Sequence, residues 1–112
     1  MRKNMRKDII ISERLHCGVS DEIFSQICKG NYRTGSILPS IMRLSREFGT
    51  SPETIRKALN ILVKNNVLIK SKNAFFITND LQIIEKYKEI YIRKYKNRYL
   101  NAMEKLGIVV GE

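Results

Sequence analysis

Apolar residues return at helical spacing in four stretches of the chain and gather into short extended runs in two. Ile11, Leu15, Val19, Ile23 and Ile27, widened by Phe24, form the first stripe and predict a helix over about 12–29. Gly18 inside that stripe costs about 1 kcal/mol relative to alanine, so a kink or a later start near Ser20 is an alternative. Gly30-Asn31 is a stop signal. Residues 1–11 are rich in basic and polar side chains and are read as a flexible basic arm. The connection over 30–39 is turn-rich.

Ser40 offers a capping oxygen to a second helix, in which Ile41, Leu44, Ser45 and Phe48 share a face. Gly49 supplies the positive φ that ends it. Ser51 caps again and Pro52 stands at the first helical position, where its missing N–H is no loss. The third helix, 52–64, divides cleanly: Ile55, Ala58, Leu59, Leu62 and Val63 on one face, Glu53, Arg56, Lys57, Asn60 and Lys64 on the other. Asn65-Asn66 closes it. Val67-Leu68-Ile69 and Phe75-Phe76-Ile77-Thr78 predict two strands joined through Ser71-Lys72-Asn73-Ala74. Asp80 caps a last helix over about 81–106, ended by Gly107. The expected fold is mainly α with a small β-wing: a flexible arm (1–11), a winged helix-turn-helix domain (12–79) and a C-terminal dimerisation helix in the tail (80–112).

That order of elements carries a function. Two short helices meeting at a glycine corner make a helix-turn-helix, and a hairpin directly after them makes the winged form. The second helix of such a unit buries one face and leaves its N-terminal turns and opposite face free for a major groove. Arg56, Lys57 and Asn60 stand on that free face: arginine can bond guanine bidentately and asparagine can bond adenine. Ser40, Arg43, Arg46, Ser51 and Thr54 are placed for phosphates, and Lys72 and Asn73 at the hairpin tip for the flanking duplex. A polar outer face on a surface helix is by itself usually only solvated; the corner, the hairpin and the charge outweigh that reading.

The charge enters here. The chain of 112 residues has 21 Lys and Arg against 11 Asp and Glu, a formal +10. Residues 1–79 hold 14 basic and 6 acidic side chains, residues 80–112 only 7 and 5, so a polyanion meets the first two thirds of the chain. Double-stranded DNA is the expected partner. The apolar run Ile9-Ile10-Ile11 is too short for a signal peptide, and no stretch approaches a membrane span. Cys17 and Cys28 lack the further ligands that zinc needs; they are expected to be unpaired core residues in a reducing cytoplasm. No metal or cofactor is expected. A single histidine, with no nucleophile–base arrangement and no phosphate loop, argues against an enzyme; a pocket of converging titratable groups is the feature to look for.

The run Gly30-Asn31-Tyr32-Arg33-Thr34-Gly35-Ser36-Ile37-Leu38-Pro39-Ser40 resembles the GntR-family pattern of two glycines around a turn followed by Leu-Pro-Ser. Phe48 to Leu59 is similar to that family's recognition helix, with Thr54 and Arg56 at family positions and Pro52 similar to the YtrA subfamily. The resemblance covers about 12–78, and residues 80–106 resemble the short helical tail of the YtrA group. It implies a winged DNA-binding domain, dimerisation through the tail and no large effector domain. Three departures stand out, the first being Pro52 itself, where other GntR branches often have arginine, so that contact is not carried over. Met42 occupies a position where the family usually has arginine, and Lys72-Asn73-Ala74 replaces a Gly-x-Gly wing tip, with Asn73 the residue expected to tolerate a positive φ.

In the last helix Ile84, Tyr87, Tyr91, Tyr95, Tyr99, Met103 and Leu106 follow one slowly spiralling stripe. An isolated helix cannot bury such a stripe. Pairing with a second chain is favoured over packing on the domain; an aromatic ligand or stacked single-stranded bases are further alternatives. The expectation is a homodimeric, sequence-specific regulator, a repressor on a pseudo-palindromic operator in the cytoplasm and associated with the nucleoid. The sequence names no small-molecule effector. The rival is a winged-helix protein-interaction or adaptor module that does not read DNA sequence.

Overall fold

A computed structural model describes the backbone of residues 5–109 and the side chains of residues 15–109. The elements follow in the order α1 (Met5–Cys28), α2 (Ile41–Phe48), α3 (Pro52–Lys64), β1 (Leu68–Ser71), β2 (Ala74–Ile77) and α4 (Leu81–Lys105). α1 begins upstream of the expected position 12, through residues assigned to a flexible arm. An apolar stripe marks where a helix is covered, not where it starts, and Met, Arg and Lys are good helix formers. The helix also passes through Gly18 without a break. Leu15, counted in the stripe, is 48% exposed; burial on α1 starts at Val19.

The caps are those that local chemistry dictates. Ser40 accepts from the Arg43 N–H and Ser51 from the Thr54 N–H, each at 3.1 Å. Gly49 takes φ 62° and ends α2. Asn66 takes φ 63° after α3, a conformation asparagine tolerates better than most residues. Between those caps α3 buries Ile55, Ala58, Leu59 and Leu62 completely, against α1 and α2. Complete burial of each large aliphatic side chain contributes about 1.5–3 kcal/mol, so the inner face of α3 is held firmly and its outer face is the part left to meet a ligand.

β1 and β2 pair antiparallel from Leu68↔Ile77 to Ser71↔Ala74, leaving a two-residue tip, Lys72-Asn73. The positive φ at that tip belongs to Lys72, at 56°, and not to Asn73 as expected. With Ser71 opposite Ala74 the loop has two residues, and a positive φ at the first of them alone is the pattern of a type II′ turn.

The connection over 30–39 is more ordered than its composition suggests. Ile37 bridges Phe76, the Leu38 N–H donates to the Phe75 carbonyl at 2.8 Å, and Gly35 N–H to the Ile77 carbonyl at 2.8 Å. The segment therefore lies along the free edge of β2 as a short third strand. Gly35 has φ +77°, which glycine adopts without strain; an added Cβ would also run into the Asn79 side chain, whose exposed end can turn aside.

α4 is capped by Asp80, which accepts from the Gln82 N–H at 2.9 Å. Its first half packs on the domain. Ile84 and Tyr87 are buried in the core, and the Phe24 ring of α1 meets Tyr87 edge-on at 4.7 Å and Tyr91 at 5.9 Å. At about 1.5 Å per residue a helix of this length outruns so small a core, and Tyr99 and Leu106 are accordingly 64% and 75% exposed. Cys28 is exposed and Cys17 half-buried; both are free, and neither is the core residue expected. No helix among the described residues is long and apolar enough to cross a membrane.

Candidate nucleic-acid interface

The outer face of α3 is built by the same residues that fix its inner face. Its buried stripe sets the rotation of the helix, and that rotation leaves Arg56, Lys57 and Asn60 exposed. At the N-terminus of α3 Pro52 carries no N–H and the Thr54 N–H is taken by Ser51, so a phosphate would meet the Ser51 and Thr54 hydroxyls more than free backbone. Ser51 and Thr54 stand there as a pair, Oγ to Oγ1 at 2.9 Å. Capping does not exhaust them: a hydroxyl accepts two hydrogen bonds and donates one. Ser40 caps α2 in the same way. Arg43 and Arg46 lie exposed on α2. Lys72 and Asn73 are both exposed at the hairpin tip.

Two of the arginines have carboxylate partners that the sequence reading did not assign. Arg56 Nη1 lies 2.7 Å from Glu53 Oε2, and Arg43 Nε lies 3.0 Å from Glu47 Oε1. Their spacings, three and four residues, are the ones at which helical side chains meet, so the signal was present in the sequence. All four side chains are largely solvated, and such pairs contribute only about 0.2–1 kcal/mol. They orient the arginines without holding them back from DNA. A guanidinium has five N–H donors, and one is spent on Glu53.

The tail residues divide. Ile84 and Tyr87, expected at a dimer interface, are instead covered by their own chain, and Tyr91 is half-buried against Phe24. The reason is distance along the chain: α4 starts three residues after β2 and must first cross the domain. Tyr95 donates its hydroxyl proton to Asp21 at 2.5 Å. That hydrogen bond, with burial added, raises the Tyr95 phenol well above the ordinary tyrosine range. Tyr99, Met103 and Leu106 lie beyond the domain; Tyr99 and Leu106 are exposed and Met103 is half-buried.

A cleft of about 560 Å³ between α1 and α4 is lined by Cys17, Gly18, Asp21 and Arg98. Lys94 bonds both Asp21 carboxylate oxygens at 2.7 Å beside this cleft. Although Cys28 is exposed at the surface, partial desolvation of its thiol raises its pKa above the ordinary cysteine range, with the nearby Lys88 opposing. Among the described residues no three His, Cys, Asp or Glu side chains gather as a metal site.

A helix-turn-helix followed by a paired hairpin, with a basic free face on its second helix, defines a winged helix-turn-helix domain. The chain belongs to the GntR family of bacterial regulatory proteins, whose family pattern matches residues 15–77. It is 43% identical over 49 residues to the HTH-type transcriptional regulator TreR of Bacillus subtilis, a match spanning 44% of this chain and 21% of TreR. It is 39% identical over 54 residues to the mannosyl-D-glycerate system repressor MngR of Escherichia coli, spanning 48% of this chain and 22% of MngR. The matched segment thus spans about a fifth of the length of these curated relatives.

Among solved structures, a GntR family transcriptional regulator from Listeria monocytogenes superposes with a TM-score of 0.67 at 23% identity, covering 84% of this chain and 83% of that one. The DNA-binding domain of AraR in complex with its operator ORX1 gives 0.54 at 31% identity, covering 57% of this chain and 78% of that one. YtrA from Sulfolobus acidocaldarius gives 0.56 at 21% identity, covering 81% and 85%.

Proposed function

We propose that the chain is a sequence-specific DNA-binding transcription regulator, a homodimeric repressor of the YtrA-like branch acting on a pseudo-palindromic operator in the cytoplasm, on the nucleoid. The observation that carries this reading is α3, whose inner face is fully buried while Arg56, Lys57 and Asn60 stand free. Those three read bases. Ser40, Arg43, Arg46, Ser51 and Thr54 hold phosphates, and Lys72 and Asn73 touch the flank. The AraR–operator complex supports a DNA partner, and the repressor name of MngR supports the sense of regulation. Pro52 and the single tail helix support the YtrA-like branch. Tyr99, Met103 and Leu106 form the dimer contact; Ile84, Tyr87 and Tyr91 anchor the tail to the domain instead.

The test is selection of bound genomic fragments followed by a salt titration on the best site. The expected outcome is a two-fold symmetric motif whose affinity falls by about 0.9 log units per phosphate contacted per log unit of salt. Weak binding, blind to sequence, gives the domain to the adaptor reading.

A further inference from the structure

Asp21 is a carboxylate in the wrong place for solubility. It sits on α1 beside the core with its side chain 7% exposed, and it is the acidic member of an ion pair joining segments 73 residues apart. Lys94 reaches both its oxygens at 2.7 Å and Tyr95 donates to one of them at 2.5 Å. The other ion pairs found among the described residues lie within one helix, three or four residues apart. Asp21 is the buried member and Lys94 is half-exposed; such a pair is poor evidence of stabilisation, because desolvation of the carboxylate offsets the attraction, and the best-attested use of a buried charge is to select one arrangement among several.

The geometry shows which arrangement. Lys94 and Tyr95 are consecutive, so they leave α4 about 100° apart around its axis and converge on one carboxylate from two sides. Apolar contacts such as Phe24 with Tyr87 and Tyr91 permit sliding and tilting; with Ile84 and Tyr87 held in the core, a second, two-sided grip at Asp21 opposes both. Arg98, with its guanidinium 5.0 Å from the Tyr95 ring centre, and Lys94 Nζ, 5.2 Å from it, close over the ring. The grip also falls where the leverage is greatest. Beyond Lys94 the helix runs to Lys105 with little cover, about 17 Å at helical rise, so a tilt of about 10° at the grip moves its end by about 3 Å. That equals about one base pair of rise along a duplex.

We propose that Asp21, Lys94 and Tyr95 form a positioning clamp that fixes the direction of α4 relative to α3, and thereby the spacing of half-sites that two copies accept. The spacing part rests on the homodimer reading; the direction part does not. The test uses the full chain with Cys17→Ala and Cys28→Ser, spin labels at Ile69→Cys on the wing and Asn101→Cys on α4, and an excess of unlabelled chain, so that only distances within one chain are read. In parallel, binding is measured to paired half-sites whose separation varies one base pair at a time.

The unperturbed clamp gives one narrow distance and one favoured separation. Tyr95→Phe and Lys94→Met, milder than Asp21→Asn and folded by circular dichroism, broaden the distance and abolish the preference among separations. Affinity for an isolated half-site stays the same. A distance that stays narrow in both variants overturns the clamp; a broadened distance with an unchanged favoured separation overturns its role in spacing. A parent chain with a narrow distance and no favoured separation, sedimenting as a monomer, overturns the homodimer and leaves the clamp standing.

Discussion

At the scale of single residues, the proposed interface mixes readers with side chains that restrain them. Arg56 is the base reader with the most to lose, and Arg56→Ala is expected to cost about 1–3 kcal/mol on the operator and to relax preference at one position. An equal loss on every sequence would make it a phosphate contact. Glu53 holds one of its N–H groups and places a negative charge beside phosphates. Glu53→Gln should therefore tighten binding to unrelated DNA and narrow the ratio between operator and unrelated sequence, both read by competition titration. Lys72 meets two opposed demands. Its φ of 56° strains an L-residue, while its charge serves the flank. Lys72→Gly is expected to raise unfolding free energy by about 1 kcal/mol and to lower the salt slope by about 0.9. A stability gain with an unchanged slope would remove Lys72 from the interface.

At the scale of elements, two glycines of one chain call for opposite outcomes. Gly18 lies in regular helix with nothing within 4 Å of an added Cβ, so Gly18→Ala should stabilise by about 1 kcal/mol in urea unfolding. A loss of stability there would show that α1 needs to flex at that point. Gly35 has a positive φ that strains any L side chain, so the same change there is expected to destabilise. The difference marks what the sequence could disclose. Stripes and caps are local, and the Ser40, Ser51, Gly49 and Asn66 ends all follow from neighbours within a few positions. The third strand at Gly35–Leu38 is not local: three or four residues with one buried side chain give no alternation to read, and their pairing depends on β2, about forty positions on. The Arg56–Glu53 pair was legible from spacing; the Asp21–Lys94 pair, 73 residues apart, left no such mark. The α4 stripe was visible in full, but what covers each part of it was not, because Phe24 reaches Tyr87 and Tyr91 only in three dimensions.

At the scale of the whole molecule, the exposure gradient along α4 separates the part that packs on the domain from the part proposed to meet a second copy. Ile84 and Tyr87 are core, so changing them would unfold the domain and reveal nothing about assembly. Tyr99 and Leu106 are solvated in the single chain, so Tyr99→Asp with Leu106→Asp should leave the unfolding free energy within about 0.5 kcal/mol, as is usual for surface changes. In the proposed homodimer those two side chains would meet the partner, and buried carboxylates there would separate the copies. Separation removes the link between two reading heads. Linked heads gain the local concentration of the second on the first, so operator affinity is expected to fall by about 10²–10⁴-fold, while affinity for one isolated half-site holds. Sedimentation on the free protein and titration on full and half operators check the two parts together. Separated copies that keep full operator affinity would place the coupling between heads in the DNA itself. Copies that stay paired would move the contact to another face, with Leu15, 48% exposed on the opposite helix, the first place to look.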